Sequence, residues 1–264
     1  MTRIHVLTQK EFIDPTKLRN CIVVVFDVML ATTTITTLLQ YGAKKVIPVL
    51  NAEEALQLSE NLNIDKNSVI LSGEVKGQSL ENFKYPCPLE LIESNVEGKT
   101  VILSTTNGTV ALKKSLNASL VYASSLLNGK YVAQNLLQAH KEQSILLVCS
   151  GNHGGFSMED FIGAGHFIHH LQKLSGNEFE LSDSAIVALK FYENCHDEAL
   201  QDYFLSSHTG KLLTTLGYKR SIYHSVQRDL YRVVPVLRNG DYPYLELDQV
   251  GITIHEGHQK LSNS

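Results

Sequence analysis

Ile22-Val23-Val24-Val25-Phe26-Asp27, followed by Thr32-Thr33-Thr34-Ile35-Thr36-Thr37 and then by Gly42, decides the fold. The first five residues are an unbroken β-branched and aromatic run. That is the composition of a strand covered on both faces, as in a parallel sheet between helices. The threonine-rich stretch has weak helix propensity. With Leu38-Leu39 and a stop at Gly42 it still reads as the crossover helix to a second strand at 46–49. Further out, the same unit recurs. Asn51 with Glu54 is in capping-box register. Strands are expected at 69–71, 100–103, 120–122 and 145–148, and Ser157 with Asp160 opens a helix to about Leu174. Helices are also expected near 183–194 and 209–216. Towards the end, runs at 233–237 and 244–247 flank Asn239-Gly240, a strong hairpin signal. The pattern predicts an α/β fold: three α/β/α layers, a largely parallel, mixed sheet and a C-terminal antiparallel hairpin. The simplest division is one domain over 1–264; two α/β lobes, 1–125 and 126–264, are the alternative, although no composition shift marks a boundary. The tail after Gly251 is expected to fray.

Composition bounds the function. A chain of 264 residues, 43% hydrophobic, can bury a substantial core and is neither disordered nor fibrous. A net charge of −4 argues against a nucleic-acid surface, and no apolar run is long enough to cross a bilayer, so neither partner is expected. No secretory signal is visible at the start. Cys21, Cys87, Cys149 and Cys195 lie far apart with no C-x-x-C pair, which suits a reducing cytoplasm.

In open α/β sheets ligands bind beyond the carboxyl ends of the strands. Asp27 follows the first buried strand and Glu74 the strand at 69–71. Ser104-Thr105-Thr106-Asn107-Gly108 follows the strand at 100–103. Gly151-Asn152-His153-Gly154-Gly155, then Glu159-Asp160, follow the strand at 145–148. Carboxylates suit a hard cation such as Mg2+, and small-residue loops at helix starts suit a phosphate. Together they suggest metal-assisted phosphoryl chemistry. Each acid alone reads equally as a cap or turn former. Other phosphatase signatures fail. Cys149 has Gly155, not Arg, at the position a thiol phosphatase needs, and Asp27 is followed by Val28-Met29, not by x-Asp. Neither G-x-x-x-x-G-K-[ST] nor G-x-G-x-x-G is present. His166 and His170 share one face of a predicted helix, but without H-E-x-x-H they read as core residues and not as zinc ligands. His208 precedes a helix among hydroxyls and is a candidate anion binder or general acid, as is His153 in the glycine loop.

These segments, in order, resemble the 2-phosphosulfolactate phosphatases, the ComB family. Asp27-Val28-Met29-Leu30-Ala31-Thr32-Thr33-Thr34 is similar to its D-V-L-R-A-T-T-T, and Gly73-Glu74 with Gly77 to G-E-x-x-G. Ser104-Thr105-Thr106-Asn107-Gly108-Thr109 is similar to T-T-T-N-G-T. Cys149-Ser150-Gly151, Phe156-Ser157-Met158-Glu159-Asp160 and Gly163-Ala164-Gly165 are similar to C-[AS]-G, F-S-L-E-D and G-A-G. Ser207-His208-x-Gly210 and Val234-Pro235 complete the series. The resemblance implies a Mg2+-dependent phosphatase that converts 2-phosphosulfolactate, a small anionic phosphate ester, to 3-sulfolactate; a homo-oligomer is a further family-level expectation. Asp27 and Glu74, helped by Glu159 or Asp160, would hold the metal. Thr32, Thr33, Thr34, Thr105, Thr106, Asn107 and Gly108 would cradle the phosphate, with His208, Gly154 and Gly155 towards the organic moiety. The reaction would proceed by attack of an activated water or through an aspartyl phosphate on Asp27. Two family arginines are Leu30 and Val110 here, and the stretch that is usually Asn-Ser-Pro-like reads Tyr85-Pro86-Cys87-Pro88. No aliphatic residue replaces a guanidinium fork. Arg220, Arg228 or Lys130 would have to compensate, or the substrate is another phospho-acid, or the chain is a ligand-binding paralogue with weakened catalysis.

Overall fold

A computed structural model of the chain describes residues 2–62, 64–139, 143–176 and 179–248, so the tail after Gly251 lies outside the described residues. β1 (Arg3–Leu7) and β2 (Cys21–Phe26) open the chain, and every residue of β2 after Cys21 is buried. α1 (Ala31–Gln40) forms in spite of its five threonines because every residue except Gln40 is buried, so packing outweighs propensity. The alternation continues with β3 (Lys45–Val49), α2 (Ala52–Asn61), β4 (Val69–Val75), the short β5 (Gln78–Ser79) and α3 (Pro88–Ile92). It goes on through β6 (Thr100–Ser104), α4 (Gly108–Lys114), β7 (Leu120–Ser124), α5 (Gly129–Ala139) and β8 (Ser144–Cys149). Then come α6 (Met158–Ser175), β9 (Glu180–Leu181), α7 (Asp183–Glu193), α8 (Asp197–Ser206), α9 (His208–Thr215) and α10 (Lys219–Ser225). β10 (Pro235–Arg238) and β11 (Tyr244–Leu247) are the hairpin around Asn239-Gly240.

The expected caps form. Asn51 Oδ1 accepts the Glu54 N–H at 2.8 Å, and Glu54 returns a bond to the Leu50 N–H at 2.7 Å. Ser157 Oγ accepts the Asp160 N–H at 3.3 Å. α3, α4 and α10 carry no expectation from sequence, because at five to seven residues they are too short for a 3.6-residue period to emerge.

All strands join one sheet, in the order β5-β4-β6-β3-β11-β10-β7-β2-β8-β1-β9. β4, β6 and β3 form one parallel block; β7, β2, β8, β1 and β9 form another. The hairpin lies between them. β11 runs antiparallel to β3, with Leu245 opposite Val46, and β10 antiparallel to β7, with Val236 opposite Tyr122. What the sequence marks as a terminal hairpin is therefore the centre of the sheet.

The sheet curls around α1 and α4. Ile35 and Leu38 of α1 and Ala111 and Leu112 of α4 fill a core with Val23 and Val25 of β2, Val46, Leu103, Val121 and Leu245. On the outer face α2 covers Ile47, Val49 and Ile102, while α5, α6 and α7 cover Ile22, Val24 and Phe26. Four strands separate β6 from β2, about 24 Å in a flat sheet at the usual strand spacing. Yet Gly108, just past β6, packs against Asp27, just past β2. Curvature of the sheet, together with the loop at 105–107, brings the two together. Among the described residues no helix is long and apolar enough to cross a membrane.

Leu245 is fully buried at the seam between the two blocks. Leu245→Ala should cost about 2–5 kcal/mol in urea unfolding, in one transition common to both blocks. Two separate transitions in the variant would mean that the hairpin does not couple them.

Candidate functional site

The curl gathers the loops after β2, β4, β6 and β8 on one rim. Two buried carboxylates lace them together. Asp160, in the first turn of α6, accepts the Val28 N–H at 2.8 Å and the Gly151 N–H at 3.1 Å, tying the loop after β2 to that after β8. Glu74 accepts the N–H groups of Thr106 and Gly77, each at 2.6 Å, and the Thr106 hydroxyl at 3.0 Å, tying the loop after β4 to that after β6. Gly77 is obligatory here. It has φ +79°, and a Cβ would lie 2.3 Å from Leu212 of α9.

Asp27 sits between two helix starts. The first backbone amides of α1 and α4, at Ala31 and Gly108, bond to its carboxylate. Gly108 has no room for a side chain, since a Cβ would lie 2.4 Å from Asp27 Oδ2 and from the Ala31 methyl. The two amides and helix dipoles favour the anion, but they are outweighed. Burial first, then the Glu74 and Glu159 carboxylates, push the Asp27 carboxyl up to about 7. Burial, with Asp27 and Glu159 nearby, also raises the Asp160 carboxyl well above the usual range. All four expected acids thus share one neighbourhood, and Glu159 is buried in it. Among the described residues they do not close into a set of three donor atoms within 4.8 Å of one another. Their donor atoms are carboxylate oxygens, the type a hard cation such as Mg2+ prefers.

The hydroxyls divide. Thr33 and Thr34 donate to the carbonyls of Val28 and Pro86, both at 2.6 Å, and Thr32 Oγ1 accepts the Asp27 N–H at 3.1 Å. These three are wholly buried and hold the start of α1. Thr105 and Thr109 bond each other reciprocally at 3.0 and 3.1 Å. Thr106 faces Glu74, and Asn107 Oδ1 accepts from Lys10 Nζ at 2.7 Å.

The glycine loop is pinned by a bridge between Asn152 and Gly155, with positive φ at Gly151, His153 and Gly154. The exposed rings of His153 and His208 meet edge to face at 5.9 Å. Asn152 Nδ2 donates to Thr209 at 3.3 Å. α9 therefore spans from the β8 loop to Gly77 in the β4 loop. α10 is anchored beside it by the Ser221 hydroxyl on Glu90 at 3.0 Å, next to a Tyr85–Tyr218 stack at 4.8 Å. Cys149, the rejected thiol nucleophile, is buried with its thiol pushed up by burial.

Sequence reasoning missed Lys10. Its Nζ is buried near the rim, bonded to Asn107, to Glu11 at 2.9 Å and to the Ser150 carbonyl at 3.5 Å. A lysine in a three-residue turn carries no motif; only the tertiary fold gives it partners. The residues considered as arginine substitutes lie elsewhere. Arg228 packs on Tyr192 and pairs with Asp197, Lys130 lies over Tyr131, and Arg220 is exposed on α10. Leu30 is buried in the core, whereas Val110 borders a cavity of about 480 Å3 beside Glu74, Thr105 and Thr106.

Between the ordinary carboxyl range near 4 and about 7, folded Asp27 keeps a proton that the unfolded chain has released. Its ionisation thus opposes folding increasingly across that window and levels off above it. In chelator-treated protein Asp27→Asn should therefore gain stability relative to the parent as pH rises from about 4 to about 7. A difference independent of pH, measured by urea unfolding, would show that Asp27 is not under this strain.

A family model described as 2-phosphosulpholactate phosphatase matches residues 7–240. The chain is similar to proteins named "Probable 2-phosphosulfolactate phosphatase". One from Clostridium perfringens strain SM101 is 37% identical over 245 residues, covering 92% of this chain and 97% of that protein. One from Caldanaerobacter subterraneus subsp. tengcongensis is 39% identical over 220 residues, covering 83% and 88%. One from Clostridium acetobutylicum is 34% identical over 240 residues, covering 90% and 99%. With matches of this extent laid over a rim of laced carboxylates and helix starts, the chain belongs to the 2-phosphosulpholactate phosphatase family.

Proposed function

We propose that this chain is a phosphoric monoester hydrolase that releases phosphate from 2-phosphosulfolactate, leaving 3-sulfolactate, with Mg2+ at the acidic rim. The observation that carries the reading is Asp27, a carboxyl poised near neutral between two helix starts and beside three further acids. The donor set is carboxylate oxygen, which is hard-cation chemistry. The Lys10 ammonium, shared with Glu11, adds one positive charge beside Asn107. A divalent cation would relieve the repulsion that raises Asp27. Asp27 and Glu159 are the natural holders, with Glu74 and Asp160 fixing the loops through their amide bonds. When bound, Mg2+ neutralises phosphoryl charge and makes a nucleophile available near neutral pH.

The chain's own groups do the rest. The amides at the α1 start, those of Leu30, Ala31 and Thr32, bond to Asp27 and hold it in place. Lys10 holds Asn107 and adds positive charge at the α4 start. Ionised Asp27 either attacks phosphorus and breaks the P–O ester bond, giving an aspartyl phosphate that water then hydrolyses, or takes the proton from a water that breaks the same bond; in both routes the expelled alkoxide takes a proton from solvent and leaves as the alcohol. The exposed rings of His153 and His208, which pack edge to face, are assigned to the sulfonate and carboxylate ends of the substrate. One feature favours a different phospho-acid. At position 110, where the family pattern has arginine, Val110 borders the cavity beside Glu74 together with Leu50 and Leu80.

A panel of small phospho-acids, assayed for phosphate release with and without EDTA, tests both readings. 2-Phosphosulfolactate should be the best substrate and EDTA should abolish turnover. Asp27→Asn should lower kcat by several orders of magnitude while the protein stays folded. Preference for another ester would move the substrate assignment, and full activity in EDTA would remove the metal. Near-parental turnover by Asp27→Asn would overturn both roles given to Asp27.

A further inference from the structure

Well along α6 from the rim, three potential ligands converge. His166 and His170 are one turn apart on the same helix face, and their rings meet at right angles with centroids 4.6 Å apart. Opposite them is Asp229, in the loop that leads from α10 to β10. The Nε2 atoms of the two histidines are 3.0 Å apart. His166 Nε2 is 3.4 Å from Asp229 Oδ1, and His170 Nε2 is 2.9 Å from Asp229 Oδ2. A tetrahedral ion with bonds of about 2.1 Å sets its ligand atoms about 3.4 Å apart. The His166–Asp229 contact matches that value, the other two are 0.4 and 0.5 Å shorter, and the two histidines face different oxygens of the carboxylate, so all three side chains lie within reach of one ion.

A hydrogen-bond network alone serves this geometry poorly. Each imidazole nitrogen offers either one N–H or one lone pair. One proton satisfies one edge of the triangle, whereas a cation at its centre accepts a lone pair from each corner. We propose that His166, His170 and Asp229 are a binding site for a divalent transition metal, Zn2+, that fastens α6 to the loop entering the central hairpin.

The surroundings are built for it. Asp229 adopts φ +54°, a left-handed conformation that Asp tolerates better than most residues, and its N–H bonds the Leu126 carbonyl at 2.8 Å. Its Oδ1 also accepts the Lys130 N–H at 3.0 Å, the outer support that orients a ligating carboxylate. Gly129 leaves room for the fully buried His166 ring, since a Cβ there would lie 2.6 Å from His166 Nδ1. His166 Nδ1 has no hydrogen-bond partner, so a ring ligating through Nε2 would keep that N–H unpaired. Arg228 pairs with Asp197 and packs on the Tyr192 ring. A metal at this position requires both imidazoles neutral and the carboxylate ionised. The side chains of His170 and Asp229 are 15% and 22% exposed, which leaves an entry and a fourth position for water.

This site is chemically separate from the rim, where oxygen donors dominate, so its test does not depend on the phosphatase reading. Chelator-treated full-length protein is titrated with Zn2+ by calorimetry in excess Mg2+, which occupies hard oxygen sites, and its Tm is followed. One equivalent of Zn2+ should bind and raise Tm. His170→Gln and Asp229→Asn should each weaken binding by at least the roughly 10- to 100-fold that loss of an outer partner costs. Asn keeps both the left-handed backbone and the bond from Lys130, so a folding failure is not the expected cause. His169→Gln, on a ring that faces Glu193 at 3.5 Å instead, should bind as the parent does. Absence of Zn2+ binding beside Mg2+, or equal affinity in His170→Gln and Asp229→Asn, would overturn the proposal.

Discussion

A two-stranded antiparallel ladder holds the molecule together at its middle. Without β10 and β11 the chain would be two parallel blocks, each with an exposed edge between β3 and β7. With them the sheet is continuous, and its twist accumulates over enough strands to curl. The curl gives α1 and α4 a shared pocket of Val, Leu and Ala side chains. It also sets the beginning of α4 against the end of β2. A site assembled from both blocks exists only because of that bend.

The chemistry at the rim follows from how its negative charge is distributed. Glu74 and Asp160 give their oxygens to backbone N–H groups of neighbouring loops and so work as mortar. Hydrogen bonds of this kind are worth about 0.5–1.5 kcal/mol each, and they fix loops that carry little other regular structure. Asp27 has helix-start amides instead, and burial first, then the carboxylates of its neighbours, push its carboxyl up. One carboxyl at the rim is thereby left near the midpoint of its titration at neutral pH, a property associated with reacting groups.

Much of this was legible in the residues. The apolar run at 22–26, the turn at Asn239-Gly240 and the caps at Asn51 and Ser157 specify elements through local chemistry, and each element is present. The acids at strand ends were legible because the carboxyl edge of a parallel sheet is where such side chains gather. Other features had no local signature. The hairpin's position in the sheet depends on pairings between distant parts of the chain. The hydroxyls of Thr32, Thr33 and Thr34 resemble an anion cradle in sequence, yet they pack inward because α1 is enclosed on nearly all sides. Lys10 acquires meaning only beside Asn107 and Ser150. His166 and His170 share a helix face by spacing alone, but their third partner lies in a different loop, so the sequence offered no reason to join them.

The central place of β10 and β11 also bears on biosynthesis. These strands leave the ribosome after every other strand of the sheet, yet they are the ones that seal its interior. Until they arrive, β3 and β7 present unpaired edges and the valine-rich faces around α1 and α4 stay open to water and to neighbouring chains. Closure of the interior thus falls to the last described strands in chain order, whichever parts of the sheet pair before them.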